Sequence, residues 1–541
     1  MKKLAVVVGF GGINSAGRSS GFHAYKRLLL DHLPASEQRS TYASLAQLMG
    51  LNPQTQQHEI KAGTLIRQLE KPIAQVQSAG LLPKGFTVGD GYPSHHHPRG
   101  LQMSVYAMSD ALGQLGVNFD CLKQQVSPTQ ISVYAGSAMG QLDDLGFGGM
   151  LKANALGKRA SAKQCALGFN QMPADFINAY LLGNLGTTGN LSGACATFLY
   201  NLKLAVDDIQ LGRSRIAIVG TSEAPITPEI IEGYSAMTAL TSEPKLRALD
   251  NLTAEQAIDF ARASRPFAEN VGFTLAESAQ FFILSDDQLA LDNGLTIYAS
   301  VREVFIQADG FKRSISNPGV GNYISLAKAM ASAQRQFGKE ALQQGSYVHA
   351  HGSSTPANRT SESHILSTLA QTFEIPAWPV TAVKSYWGHS LASASADQLL
   401  CALGSWRYGI IPGIKSIHCL AEDVHQHHLQ FLLDHKELDS QQQALCFLNA
   451  KGFGGNNASA YLIGPSQSMA LLKGKYSQTE WKSYQHKNES VMQQAADFDL
   501  ACSAGNTKPS YHFGEQVLSA ADLVISQNSI EIAGWPLKIE L

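Results

Sequence analysis

Short apolar runs alternate with amphipathic helical stretches along most of this chain, and that alternation limits its fold more than any other feature. "LAVVVGF" (4–10), "QISVYAG" (130–136), "RIAIVGTSEA" (215–224), "QFFILSD" (280–286), "YVHAHG" (347–352) and "ALCFLNAKGFGG" (444–455) have the length and side chains of buried strands. Between them, "LQMSVYAMSDALGQLGV" (101–117), "ATFLYNLKLAVDDIQLG" (196–212) and "ISLAKAMASAQRQFG" (324–338) have helical apolar spacing. Strands alternating with helices predict an α/β fold with a largely parallel core. The first strand is expected to end at its glycines. Its text, "VGFGGINSAG", is echoed by "LNAKGFGGNNAS" at 448–459, as a duplicated fold would produce.

With 541 residues the chain is too long for one small core. Residues 18–98, which include Gln-rich patches and "SHHHPRG", and residues 465–541 carry no readable motif and look like additions. The three histidines at 95–97 lack spaced Cys, His or acidic companions, so they predict a loop rather than a metal site. A net charge of −2 with no long basic run argues against a nucleic-acid partner. Seven scattered cysteines without a C-x-x-C pair fit a reducing, cytoplasmic compartment. The opening "MKK" before an apolar run is a start that secretory signals share, but glycines interrupt the run early and a buried strand is expected instead. No unbroken apolar stretch of about 18 residues predicts a membrane span.

Chemistry concentrates in three places. In "LSGACATFLY", Cys195 follows a permissive turn and precedes a helical run, where a helix N-terminus would favour a thiolate. "YVHAHGSSTP" puts His351 just beyond a strand, before a glycine and hydroxyl residues. "VTAVKSYWGHS" puts Lys384 and His389 five residues apart after another apolar run. Strand ends followed by glycine loops commonly hold reactive groups in α/β enzymes. The three places together propose a Cys-His-His site.

The ordered set "GAC", "HAHGSSTP", "KSYWGH" and "GFGGNN" resembles the β-ketoacyl-[acyl-carrier-protein] synthases of the thiolase-like superfamily. "RPFAENVGFTLAES" (265–278) and "YAGSAMGQ" (134–141) add to the likeness, which covers about 101–463 and the first strand. The resemblance implies a duplicated five-layer αβαβα fold, usually a homodimer. The halves would be 1–290, carrying the nucleophile and the 18–98 insertion, and 291–464, carrying both histidines; 465–541 would be an extension. It implies that Cys195 takes an acyl group from acyl-CoA or acyl-ACP. His351 and His389 would polarise malonyl-ACP as it loses CO2, and backbone N–H groups of Cys195 and Phe453 would hold the second oxyanion. Lys384 and Glu362 match an ion pair that would orient His351. Ser353 and Thr355 match hydroxyls on the pantetheine arm, Phe453 an aromatic gate, and Met139 a residue of the acyl pocket. No nicotinamide, flavin or metal is implied; "GFGG" near residue 9 lacks the G-x-G-x-x-G spacing.

The chain departs from the family pattern in places. A serine stands where aspartate is usual before the nucleophile, Ala196 follows Cys195, and Arg359 replaces a common aspartate. Lys451 replaces a usual Phe and Asn456 a usual Thr, which bears on the gate's shape. Thiolases and the Cys-His-Asn initiating synthases lack a histidine matching His389. A non-catalytic chain-length factor would lack the cysteine. Two roles stay open: elongation of acyl-ACP or polyketide-type chains, and initiation from acetyl-CoA, for which "VGFGGINSAGRSS" and the insert resemble long bacterial synthases.

Overall fold

A computed structural model describes residues 3–52, 55–315, 317–439 and 441–541; Met1 and Lys2 of the opening segment lie outside it. Its centre is a sheet of twelve strands. One half runs outward from Ala5–Asn14 through Ser278–Asp286, Ile216–Glu223 and Ile131–Gly136 to Thr188–Gly189. The other runs from Ala299–Ala308 through Asn456–Ile463, Leu445–Gly452 and Ser346–His349 to Trp378–Thr381 and Leu429–Phe431. The halves repeat the same order of strands. They join where Ala5, Val6 and Val7 pair antiparallel with Val301, Ser300 and Ala299.

The alternation of side chains explains why these strands read as unbroken apolar runs. Ala217 and Val219 face one core while Ile216 and Ile218 face another. The shared central core is filled by two helices, Thr197–Gln210 and Ala394–Tyr408, one from each half. Arg99–Gln114 covers the outer face of the first half, and Gly321–Gln343 with Pro356–Thr372 that of the second. The result is the duplicated five-layer αβαβα arrangement of the thiolase-like fold.

Two expectations are corrected. The core is not largely parallel. Parallel pairing is confined to the outer strands, such as Ile131–Gly136 on Ile216–Glu223 and Ser346–His349 on Leu445–Gly452. The inner strands pair antiparallel: Ala5–Asn14 with Ser278–Asp286, Ser278–Asp286 with Ile216–Glu223, and Leu445–Gly452 with Asn456–Ile463, the last pair joined by a tight turn between Gly452 and Asn456. Nor does the first strand stop at its glycines. It continues to Asn14, with Gly11 and Gly12 inside it, because a Cβ on Gly11 would lie 2.1 Å from the Ala111 nitrogen of the covering helix. In the second glycine text, by contrast, Gly454 and Gly455 turn the chain with φ of 90° and 92°. The textual echo therefore joins strands that do not correspond: the counterpart of Ala5–Asn14 is Ala299–Ala308.

The insertion and the extension meet. The insertion holds helix Ala35–Met49 and a hairpin of Arg67–Ile73 with Val76–Ala79. The extension holds the 26-residue helix Gln478–Ser503, opened by a capping box of Ser477 and Glu480, and a small three-stranded sheet. Asp499 of that helix binds Arg18 and accepts from His23 Nε2 at 2.9 Å, tying the extension to the start of the insertion. His97 stacks on Tyr92. No helix among the described residues is long and apolar enough to cross a membrane.

Candidate active site

The cysteine sits on a turn that the backbone holds tightly. Ala194 has a φ of 51°, uncommon for a residue with a side chain, and Cys195 follows it in a short 3-10 turn that leads into Thr197–Gln210. Thr197 Oγ1 pins this turn, donating to Ala194 O at 2.7 Å and accepting from Gly193 N at 3.0 Å. The end of strand Leu445–Gly452 presses on it so closely that a Cβ on Gly452 would lie 2.2 Å from Gly193 O. Only glycine fits there.

Burial pushes the Cys195 thiol up to about 11. The Lys384 cation and the N–H groups of Cys195 and Phe453 pull it back, while Glu223 pushes it further up. Desolvation therefore outweighs the helix N-terminus, and the resting group is a thiol rather than the expected thiolate.

The second half brings two histidines to the same cavity of about 120 Å³, lined by Cys195, His351, His389, Ser353, Thr355 and Phe453 among others. Their rings lie 5.4 Å apart and nearly perpendicular. His351 Nδ1 accepts from Lys384 Nζ at 3.1 Å and from Lys451 N at 3.3 Å. His389 Nδ1 accepts from Leu391 N at 3.1 Å. A nitrogen that accepts carries no proton, so both rings are neutral and protonated at Nε2. Burial, with the nearby Lys384 cation, holds both well below the usual imidazole range. The His389 backbone is strapped to the first half, its N–H donating to Thr274 O at 2.7 Å and its carbonyl accepting from Ala276 N at 3.0 Å.

The expected ion pair of Lys384 with Glu362 is corrected. Glu362 accepts from His351 N at 2.7 Å, Gly352 N at 2.8 Å, Asn358 Nδ2 at 2.9 Å and Asn449 Nδ2 at 2.8 Å. Four donors saturate the carboxylate, and it holds the backbone of the histidine loop instead. Lys384 donates to the carbonyl as well as the ring of His351. Burial brings this lysine down to about 8, with Cys195, Glu362 and Asp397 holding it up through space.

Ser353 and Thr355 share a hydrogen bond of 3.1 Å, and Thr355 caps helix Pro356–Thr372. Phe453 packs near Tyr234, whose hydroxyl donates to Met139 Sδ at 3.6 Å. Met139 lies in the apolar cluster around Cys195, not on the wall of the Cys-His-His cavity. Sequence reasoning passed over Glu223. It ends the wholly buried strand Ile216–Glu223, accepts from backbone N–H groups of Ala138, Met139 and Ala392, and burial raises it to about 8. An acidic residue closing so apolar a strand was the available signal.

A buried cysteine at a strained turn, two neutral histidine donors and a doubled five-layer fold define an acyl-transfer site of the thiolase-like class. The comparisons narrow the class. The model of the β-ketoacyl synthase N-terminal domain matches residues 98–290, and that of the C-terminal domain residues 298–418. The β-ketoacyl-[acyl-carrier-protein] synthase FabY of Pseudomonas aeruginosa is 42% identical over 99% of this chain and 97% of its own length. The crystal structure of that ketosynthase superposes with a TM-score of 0.96, at 41% identity, over 100% of this chain and 98% of the other. A type II polyketide ketosynthase solved with its acyl carrier protein shares the fold over 86% of this chain and 100% of its own (TM-score 0.62, 17% identity). The chain belongs to the β-ketoacyl synthase family.

Proposed function

We propose that this protein is a β-ketoacyl-ACP synthase that joins an acyl group to malonyl-ACP by decarboxylative Claisen condensation in fatty acid synthesis. Cys195 attacks the primer thioester; its sulfur bonds the acyl carbon, and the carrier thiol leaves with a proton. Malonyl-ACP then binds with its thioester oxygen between His351 and His389. As the bond to CO2 breaks, its electron pair moves into an enolate whose oxygen both Nε2–H groups hold. The enolate carbon attacks the acyl-Cys195 carbonyl. Backbone N–H groups of Cys195 and Phe453 receive that oxyanion, and the thiolate leaves to give β-ketoacyl-ACP.

The observation that carries this reading is that both Nδ1 atoms accept hydrogen bonds, leaving two Nε2–H donors beside a buried thiol. A neutral donor pair suits an oxyanion and cannot act as a general base from those same nitrogens. Lys384, Glu362, Ser353 and Thr355 are assigned supporting and pantetheine-binding roles around this centre, and Phe453 gates it.

The partners that follow are an acyl carrier protein and an acyl-CoA or acyl-ACP primer, in a cytoplasmic homodimer; the name of the 42%-identical relative supports the carrier. The chain divides into 1–290, 291–464 and an extension at 465–541. The primer is short, acetyl-CoA in the initiating step, because the cavity at Cys195 is small and Met139 and Tyr234 meet in the apolar cluster next to it. The test is to incubate the protein with acyl-CoA and acyl-ACP panels and read the mass of the chain and of its Cys195 peptide. Acetyl on Cys195 supports initiation; octanoyl loading faster than acetyl assigns elongation; no acyl group on Cys195 overturns the mechanism.

A further inference from the structure

Two lysines that the mechanism does not use, Lys312 and Lys451, line the cavity. Lys451 lines it together with Cys195, His351 and His389. Its main-chain N–H meets the His351 ring, so its side chain leaves the strand beside that residue. Lys451 Nζ donates to Ser361 Oγ at 2.9 Å, and among the described residues no carboxylate forms an ion pair with it. An ammonium has three donors, so two find no acceptor among the described residues. Burial lowers its proton affinity, and Glu362 and Asp309 support the charge only through space.

The other charges near the cavity are spent. Lys384 donates twice to His351, and Lys312 pairs with Asp309 at 3.5 Å. Glu362 is saturated by neutral donors, and both histidines are neutral. Among the described residues, an anion entering this space meets one uncommitted cation, Lys451.

We infer that Lys451 recognises the free carboxylate of the malonyl group while the thioester oxygen rests against His351 and His389, and so selects a dicarboxylic extender over neutral acyl thioesters. The inference rests on the condensing function proposed above. Lys451 takes no part in bond breaking: the carboxylate leaves as CO2, its electron pair stays with the enolate, and the ammonium is released unchanged. The carboxylate keeps most of its charge as the C–C bond begins to break, so the ion pair persists into the transition state and is lost only with CO2; its contribution therefore falls on binding rather than on turnover.

The substitution that tests it is Lys451→Met, which keeps length and removes charge. KM for CO2 release from malonyl-ACP is expected to rise about 10–100-fold, as for loss of a hydrogen-bonded charge, with kcat changed far less. Loading of Cys195 from a neutral primer should fall much less than malonyl binding, and Lys451→Arg should recover most of the loss. Independently of any variant, malonyl-pantetheine should inhibit the wild-type protein at least about 10-fold more tightly than its neutral methyl ester. An unchanged KM in the methionine variant, or equal inhibition of the wild type by acid and ester, overturns the inference while leaving the condensing function intact. Wild-type protein that neither loads Cys195 nor releases CO2 overturns both.

Discussion

The two halves build the same junction and use it differently. In the first half a left-handed residue, Ala194 (φ 51°), leads through a 3-10 turn into the central helix Thr197–Gln210. In the second, Leu391 (φ 46°) leads through a 3-10 turn into Ala394–Tyr408. The residue after the left-handed one is Cys195 in the first junction and Ala392 in the second. The alanine offers only its N–H, which Glu223 of the first half accepts. The second half instead places its reactive groups before the junction and beyond a strand end, at His389 and His351. The duplicated backbone thus supplies two equivalent platforms, and in the proposed mechanism side chains decide which holds the acyl group and which polarises the extender.

Converting the first junction to the second should have the largest effect. Cys195→Ala is expected to abolish ketoacyl product and leave slow malonyl-ACP decarboxylation, read by product mass and CO2 release. Product from this variant would mean that the acyl group rides elsewhere. The converse experiment empties the second half. His351→Ala or His389→Ala should lower CO2 release about 10²–10³-fold while Cys195 still acylates, the loss typical of one oxyanion donor. Normal CO2 release at either variant would remove that ring from the site.

The contact between halves gives a third test. Gly452→Ala puts a Cβ against Gly193 O, so thermal stability should fall by about 1–3 kcal/mol and acylation of Cys195 should slow. Unchanged unfolding and acylation would show that the nucleophile turn can yield. A smaller effect concerns pH. With the thiol raised to about 11, the thiolate fraction grows throughout the neutral and mildly alkaline range. Alkylation of Cys195 should therefore climb with pH and level off only near that value; a plateau below about pH 8 would mean that Lys384 and the backbone N–H groups outweigh burial. The smallest is Met139→Ala, expected to shift acylation from acetyl toward butyryl and octanoyl thioesters, since each accommodated CH2 gains only about 0.8 kcal/mol. No shift would place the pocket floor elsewhere.

The motifs that carry chemistry were legible because each is a short run whose members stay together: "GAC" at a helix start, "HAHGSSTP" after a strand, "KSYWGH" before a helix. What failed were inferences across space. Glu362, eleven residues beyond His351, looked like a partner for Lys384, but helix Pro356–Thr372 turns it toward the N–H groups of His351 and Gly352. The glycines near residue 9 read as a turn because text does not show that a helix backbone presses on Gly11. Glu223 was hidden because its partners are main-chain N–H groups on distant segments. The joining of Arg18 and His23 to Asp499 spans almost the whole chain and leaves no local pattern.

The account's central claim is that the second half presents two neutral imidazoles protonated at Nε2. Nitrogen-15 NMR of histidine-labelled protein, with His351 and His389 assigned by their alanine variants, reads tautomer and charge directly. Both residues should stay neutral, with Nε2 protonated, from neutral pH down through the usual imidazole range, since burial and Lys384 hold their proton affinity well below it. A proton on Nδ1 of either ring, or an imidazolium at neutral pH, would contradict the account.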